Sequence, residues 1–173
     1  PRVVGYCNVA EVQSVGSAID DLAEGDIILT HQSHRSDFCC SREDVLILVK
    51  NIDKASQNLL AMTYLYHLGY SALLDAGYKP GFEVVIIGLG ALGFASASLV
   101  AASGGSPIIL SGRKDASHIM RYVPFSQFVN KNQSGIAYQS VADLDGADLI
   151  INTSDSWDDY ELGLKMIRRG GTI

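Results

Sequence analysis

The sequence is poor in charge. Of its 173 residues only 18% are Asp, Glu, Lys or Arg, against 47% hydrophobic, so the chain can bury a sizeable core as one or two domains and lacks the composition of a disordered segment. Positive charge is scarcer still. The 13 Lys and Arg are outnumbered by 19 Asp and Glu, for a formal net charge of -6, and no long basic run offsets this, so nucleic acid is not an expected partner. The three cysteines, Cys7, Cys39 and Cys40, supply neither an even disulfide framework nor a CxxC metal spacing, which points to reduced thiols in a cytoplasmic compartment. No charged, then apolar, then small-residue pattern opens the sequence, so secretion is not expected. The chain begins at Pro1 rather than Met, and Gly170-Gly171-Thr172-Ile173 reads as a turn feeding a truncated strand. An excerpt of a longer polypeptide is expected.

One absence needs a membrane check, because Val84 to Gly112 holds no charged residue and is long enough to cross a bilayer. Its glycines, Pro107 and several serines divide it instead into a strand at Val84 to Ile87, a helix at Ala91 to Ala102 and a strand at Ile108 to Leu110. A buried strand-turn-helix-strand unit is expected, and no membrane.

Earlier, Arg2 to Gly16 alternates apolar and polar residues, as a half-buried antiparallel strand does. Gly25-Asp26 precedes a strand at Ile27 to Leu29, and Phe38 to Cys40 reads as a shorter one, so the region to about Lys50 is expected to be strands and turns. Ala55 to Ala76, rich in Leu, Ala, Met and Tyr and free of proline, predicts one or two buried helices, closed by Gly77 and Pro80. Beyond the charge-free unit, a short helix is expected at Ala116 to Tyr122 and a buried strand at Asp148 to Thr153. A helix from Ser156 to Arg169 is expected to lay Trp157, Tyr160, Leu162, Leu164 and Ile167 on the sheet. Strand and helix alternate, which predicts an α/β fold with a doubly wound parallel sheet.

The chemistry concentrates at Gly88-Leu89-Gly90-Ala91-Leu92-Gly93. A GxGxxG spacing alone is weak in a chain with 17 glycines, but this one follows an apolar strand and opens a helix, as dinucleotide binding requires. Gly88 suits the tight turn, Gly90 the approach of backbone to a diphosphate, and Gly93 close helix packing, while the helix N-terminus offers free amides. At the tip of the next strand, where a carboxylate would bind the ribose hydroxyl of NAD, stand Ser111, Gly112, Arg113 and Lys114. A hydroxyl and two cations suit the 2′-phosphate of NADP, with Asp115 dissenting, so NADP(H) is favoured over NAD(H). Asn152 and Thr153, at a carboxyl strand end, border the expected nicotinamide ribose or else cap the following helix.

The order Gly5-Tyr6-Cys7, Val12 to Gly16, Gly25-Asp26, Lys79-Pro80-Gly81 and Val84 to Gly93 resembles the medium-chain dehydrogenase/reductase superfamily, which includes alcohol dehydrogenases and quinone oxidoreductases. The likeness covers nearly the whole chain but only the middle of a typical member. It implies the C-terminal part of a GroES-like β-rich catalytic domain at 1-54 and a partial Rossmann domain at 55-173. Departures point to the zinc-independent branch. Tyr6 and Cys7 replace the His-Glu of the zinc branch, a later ligand position falls at Thr63 by an ungapped count, and the four-cysteine lobe after Gly25-Asp26 is missing. Tyrosine and threonine are poor donors beside Cys, His and carboxylate, so no zinc is expected.

The resemblance implies hydride transfer to or from a carbonyl, alcohol or activated alkene of a small-molecule substrate. Without a Lewis acid, hydrogen-bond donors must polarise that group. Tyr6 stands where a ligand would project, His34 and His31 follow a strand that resembles a cleft-lining segment, and His67 replaces a threonine that touches nicotinamide in the zinc branch. Each is also readable as a core or surface residue. Cys7 could react but has no activating neighbour in sequence; Tyr64 and Tyr66 read as packing, and His118, Arg168 and Arg169 as solvent-facing. The alternative is a catalytically inactive, dehydrogenase-like domain or subunit that only binds nucleotide. The resemblance further implies a homodimer through Rossmann-domain edges.

Overall fold

A computed structural model describes residues 4 to 133 and 145 to 173. The chain divides into two compact units, Pro1–Tyr64 and Leu65–Ile173.

The first unit is built on three strands, β1 (Asn8–Glu11), β2 (Ile27–Thr30) and β3 (Val45–Val49), paired antiparallel in that order. The alternating segment at its start is a strand only over β1. Val12 lies just beyond it, buried, its N–H bonded to the Asp26 carbonyl at 2.9 Å. The Gly25-Asp26 signature is a turn: Gly25 has φ +87°, a conformation glycine adopts without strain, and Asp26 Oδ2 accepts the Ala23 N–H at 2.9 Å. Ile27 and Leu29 form a small core with Leu60, joined by Val9, Ile47 and Val49. The expected strand at Phe38 to Cys40 does not form. The edge of β2 away from β1 is taken instead by Val45–Val49, which follows a single 3-10 turn at Arg42–Asp44.

The Leu/Ala/Tyr-rich stretch is one helix, α1 (Lys54–Asp75), and the division between the units falls within it. Asp53 starts it by accepting the Ala55 and Ser56 N–H groups at 2.9 and 3.0 Å. Gly77, at φ +63°, ends it: its N–H bonds to the Leu74 carbonyl at 2.9 Å and the Tyr78 N–H to that of Leu73 at 2.9 Å, the paired C-terminal bonds of a Schellman motif. The helix is less buried than composition suggests, since Leu60 and Leu73 are covered while Leu59, Tyr70 and Leu74 are exposed.

The second unit follows the strand-helix alternation. Its strands are β4 (Val84–Ile87), β5 (Ile108–Ser111), β6 (Gln127–Asn130), β7 (Ala147–Asn152) and β8 (Ile167–Thr172), all parallel in the order β6-β5-β4-β7-β8. Helices α2 (Ala91–Ala102), α3 (Ser117–Met120) and α4 (Trp157–Met166) connect them. A parallel sheet buried on both faces needs continuous apolar strands, and β4 is Val-Val-Ile-Ile. Val84 and Ile86 pack with Ala97 and Val100 of α2, while Val85 and Ile87 point the other way with Ile150 and Met166. Each such buried side chain contributes about 1.5–3 kcal/mol. Strand order reverses beside β4, with β5 on one side and β7 on the other, and ligands of doubly wound sheets bind outside the carboxyl ends at such a point.

Three expectations change at the end of the chain. The helix stops at Met166 and Ile167 starts β8, because Ile167 pairs with Ala147 of β7. Gly170 and Gly171 therefore lie within a strand; a Cβ on Gly171 would crowd the Ala147 and Asp148 carbonyls at 2.8 and 2.9 Å. The buried side of α4 is Asp159, Gly163 and Met166, and Trp157, Tyr160 and Leu164 are exposed instead of lying on the sheet. Arg168 is exposed, as expected, and also pairs with Asp148, a buried carboxylate whose Oδ2 accepts the Glu83 N–H at 2.8 Å; a buried carboxylate needs such partners.

Candidate functional site

The bend after β4 is held from both neighbouring strands. The Gly88 N–H donates to the Leu110 carbonyl at 2.8 Å, and the Thr153 N–H donates to that of Ile87 at 2.8 Å. Thr153 Oγ1 donates to the same Ile87 oxygen at 3.1 Å. Gly88 has φ +100°, and a Cβ there would meet Thr153 Oγ1 at 2.6 Å. At Gly93 a Cβ would run into the Gly88 carbonyl, so both positions require glycine for packing. Gly90 differs, because a Cβ on it would meet nothing within 4 Å. It faces open space at the start of α2, with no side-chain cap hydrogen bond on that end. The first-turn N–H groups are thus available to an acceptor from outside, at the positive end of the helix dipole. Leu89 turns inward to the core, Ala91 is exposed and Leu92 half-buried.

Beside the bend lies a cleft of about 410 Å³, bordered by Leu89, Gly90 and Phe94 on one side and by Arg113, Arg121 and Tyr122 on the other. Ser111 is buried, and its Oγ accepts the Arg113 N–H at 3.3 Å, which shapes the turn after β5. Arg113 and Lys114 are exposed. Asp115 is committed elsewhere: its carboxylate accepts the Ser117 N–H at 2.8 Å and the Ser117 hydroxyl at 3.1 Å, and the backbone bond foremost holds its pKa below the usual aspartate value. At the end of β7, Asn152 Oδ1 accepts the Ser154 N–H at 3.0 Å and its hydroxyl at 2.9 Å. The cap of α4 is Ser156, which accepts the Asp159 N–H at 3.4 Å, so Asn152 and Thr153 do not cap that helix.

His118, exposed as expected, also lines this cleft, with Arg121 and Tyr122, which sequence reasoning did not single out. His118 and Arg121 stand three apart at α3 and so share a face. The Arg121 guanidinium lies 4.7 Å from the centre of the Tyr122 ring, a cation–π contact. The available signal was the recurrence of basic residues from Arg113 to Arg121.

The candidate catalytic residues fall in both units. Tyr6 and His34 belong to the first and are exposed. The His34 ring packs against Gly5, and the His34 backbone N–H donates to the Val4 carbonyl at 2.8 Å, so His34 lies beside the segment that carries Tyr6. The Tyr6 ring lies 5.4 Å from that of Tyr64, which in turn meets His31 edge-on at 5.8 Å. His67, exposed on α1, belongs to the second unit with the glycine bend. Burial pushes the Cys7 thiol up from its ordinary pKa, which disfavours the thiolate. A larger cleft of about 600 Å³ in the first unit, lined by Val15, Phe38 and Cys40 among others, contains none of the predicted site residues. Among the described residues no three of His, Cys, Asp and Glu are grouped to hold a metal ion, and no helix is long and apolar enough to cross a membrane.

No family model and no curated protein matches the sequence. Solved structures do match its fold. The alcohol dehydrogenase of the hyperthermophilic archaeon Aeropyrum pernix superposes with a TM-score of 0.81 at 17% identity, over 97% of this chain and 59% of its own. The CurF ER cyclopropanase of the curacin A biosynthetic pathway gives 0.78 at 21%, over 98% and 53%. The Escherichia coli quinone oxidoreductase complexed with NADPH gives 0.76 at 20%, over 97% and 53%. These neighbours are medium-chain dehydrogenases and reductases, in which a GroES-like domain accompanies a Rossmann domain. The chain has their fold along nearly all its length and spans a little over half of theirs.

Proposed function

We propose that the chain is part of an NAD(P)H-dependent oxidoreductase that moves a hydride to or from a carbonyl, alcohol or activated alkene, with NADP(H) preferred over NAD(H) and without catalytic zinc. The bend at Gly88 carries the reading, because it joins a central parallel strand to an uncapped helix N-terminus at the point where strand order reverses. These residues fit a diphosphate. The amides of Gly90, Ala91 and Leu92 would donate to its oxygens, and the absent side chain at Gly90 leaves room for it. The cleft from Leu89 to Tyr122 is offered to the adenosine, with Ser111, Arg113 and Lys114 for its 2′-phosphate. Asp115 stays ionised, its carboxylate turned to the Ser117 N–H and hydroxyl, and Arg113 and Lys114 are proposed to outweigh it. Asn152 and Thr153 are assigned to the nicotinamide side. Bound there, the nicotinamide supplies the hydride, while the protein supplies position and electrostatics.

Tyr6, His34 and His67 are the donors proposed to polarise the substrate oxygen. Zinc is left out because Tyr6 and Thr63 occupy the two ligand positions and neither is a normal donor. The likeness to a quinone oxidoreductase solved with NADPH supports the choice of cofactor. Fluorescence titration of NADPH and NADH tests it. NADPH is expected to bind more tightly, and Arg113→Ala to reduce that preference by about tenfold or more, the worth of one charge-assisted hydrogen bond. Equal affinities before and after the substitution contradict the NADP(H) assignment.

A further inference from the structure

An ion pair stands beside the turn that carries Arg113. Asp159, on the covered side of α4, is 3% exposed, and Lys131 Nζ donates to both of its carboxylate oxygens at 2.5 Å. Lys131 directly follows β6, and its N–H extends the pairing of β5 with β6 by donating to the Ser111 carbonyl at 3.0 Å. The lysine stem then passes over Gly112. A Cβ on that glycine would stand 3.6 Å from Lys131 Cε and 3.1 Å from Asn132 Nδ2. Asn132 Nδ2 also donates to the Gly112 carbonyl at 3.4 Å. All of these residues lie in the second unit.

A carboxylate buried as far as that of Asp159 needs its charged partner, so Lys131 is held to one geometry. One end of the side chain is fixed at β6 and the other at α4, with Gly112 beneath the stem. Arg113 and Lys114, by contrast, are exposed, and long exposed cations lose rotamer freedom when they grip a ligand. A backbone already fixed beneath them leaves less for binding to order. We propose that Lys131 and Asp159 are positioning residues for recognition of the cofactor's 2′-phosphate, a strap that holds the turn from Ser111 to Lys114 in its binding geometry; this rests on the NADP(H) reading of that turn. Lys131 is occupied by Asp159 and is not itself the phosphate ligand.

The sign of one substitution separates a strap from a direct phosphate contact. Asp159→Asn removes a negative charge and releases Lys131, which by charge alone would tighten the grip on a 2′-phosphate, whereas a lost strap loosens it. Calorimetric affinities for adenosine 2′,5′-bisphosphate and 5′-AMP, which differ only in that phosphate, measure the preference. Asp159→Asn is expected to lower the preference by about fivefold or more, within the usual range of coupling between neighbouring residues, with the affinity for 5′-AMP unchanged. Lys131→Ala combined with Asp159→Leu keeps the net charge and strands no buried carboxylate, and it is expected to lower the preference by a similar factor. A preference that is kept or raised in either variant, including an equal loss of both ligands, overturns the proposal and leaves the NADP(H) reading standing. A wild type without preference for the bisphosphate overturns both.

Discussion

Gly88, Gly90 and Gly93 look alike as letters but are glycine for different reasons. Positive φ and the Thr153 hydroxyl require the first, the Gly88 carbonyl leaves no room for a side chain on the third, and nothing in the protein presses on the second. Gly93→Ala is therefore expected to destabilise the fold by about 1–3 kcal/mol, the usual cost of overpacking, seen as a lower thermal midpoint with or without nucleotide. An unchanged midpoint would mean that α2 does not lie this close to β4. The spacing of these glycines and the cations after β5 were legible in the sequence because they act through neighbours in the chain. Arg121 and Tyr122 were not, because α3 alone carries them to the rim beside Leu89 and Phe94. The bonds of Asp115 to Ser117 were not legible either; they turn its carboxylate toward α3 and leave it charged.

Elements whose partners are local were read well, and elements defined by pairing were not. The strand, turn, helix and strand from Val84 to Ser111 follow from burial and periodicity within one segment. Phe38 to Cys40 and Val45–Val49 are both apolar, and pairing with β2, which neither run's own pattern records, decides between them. Helical periodicity likewise ran past Met166 because the pull of β7 on Ile167 has no local signature. Helix starts offer a test at this scale. The carboxylates of Asp53 and Asp115 accept first-turn amides, and those backbone bonds foremost hold their pKa values below the ordinary 3.8. A lowered folded pKa means that the charged form is favoured by folding. The stabilisation is present above 3.8 and is lost as pH falls through the lower folded values. Thermal midpoints measured through that window should fall less steeply in Asp53→Asn, which keeps the acceptor without the charge. The same slope as wild type would remove Asp53 from the acid response.

At the scale of the molecule, the β-rich start, the parallel sheet and the low charge content agree with a fold shared by enzymes that cover this chain almost completely, while it spans a little over half of them. The nucleotide reading depends on one half of the fold, the Gly88 bend and the cleft beside it, and its chemistry depends on backbone amides more than on any side chain. Gly90 isolates that dependence, because a methyl group there touches no protein atom and would stand where the diphosphate approaches. The decisive measurement is NADPH affinity by calorimetry for wild type and Gly90→Ala, with the thermal midpoint of each in the absence of nucleotide. The account predicts matching midpoints and at least about a tenfold loss of affinity, or 1.4 kcal/mol. Equal affinity in the two proteins, or no binding by wild type, would contradict it.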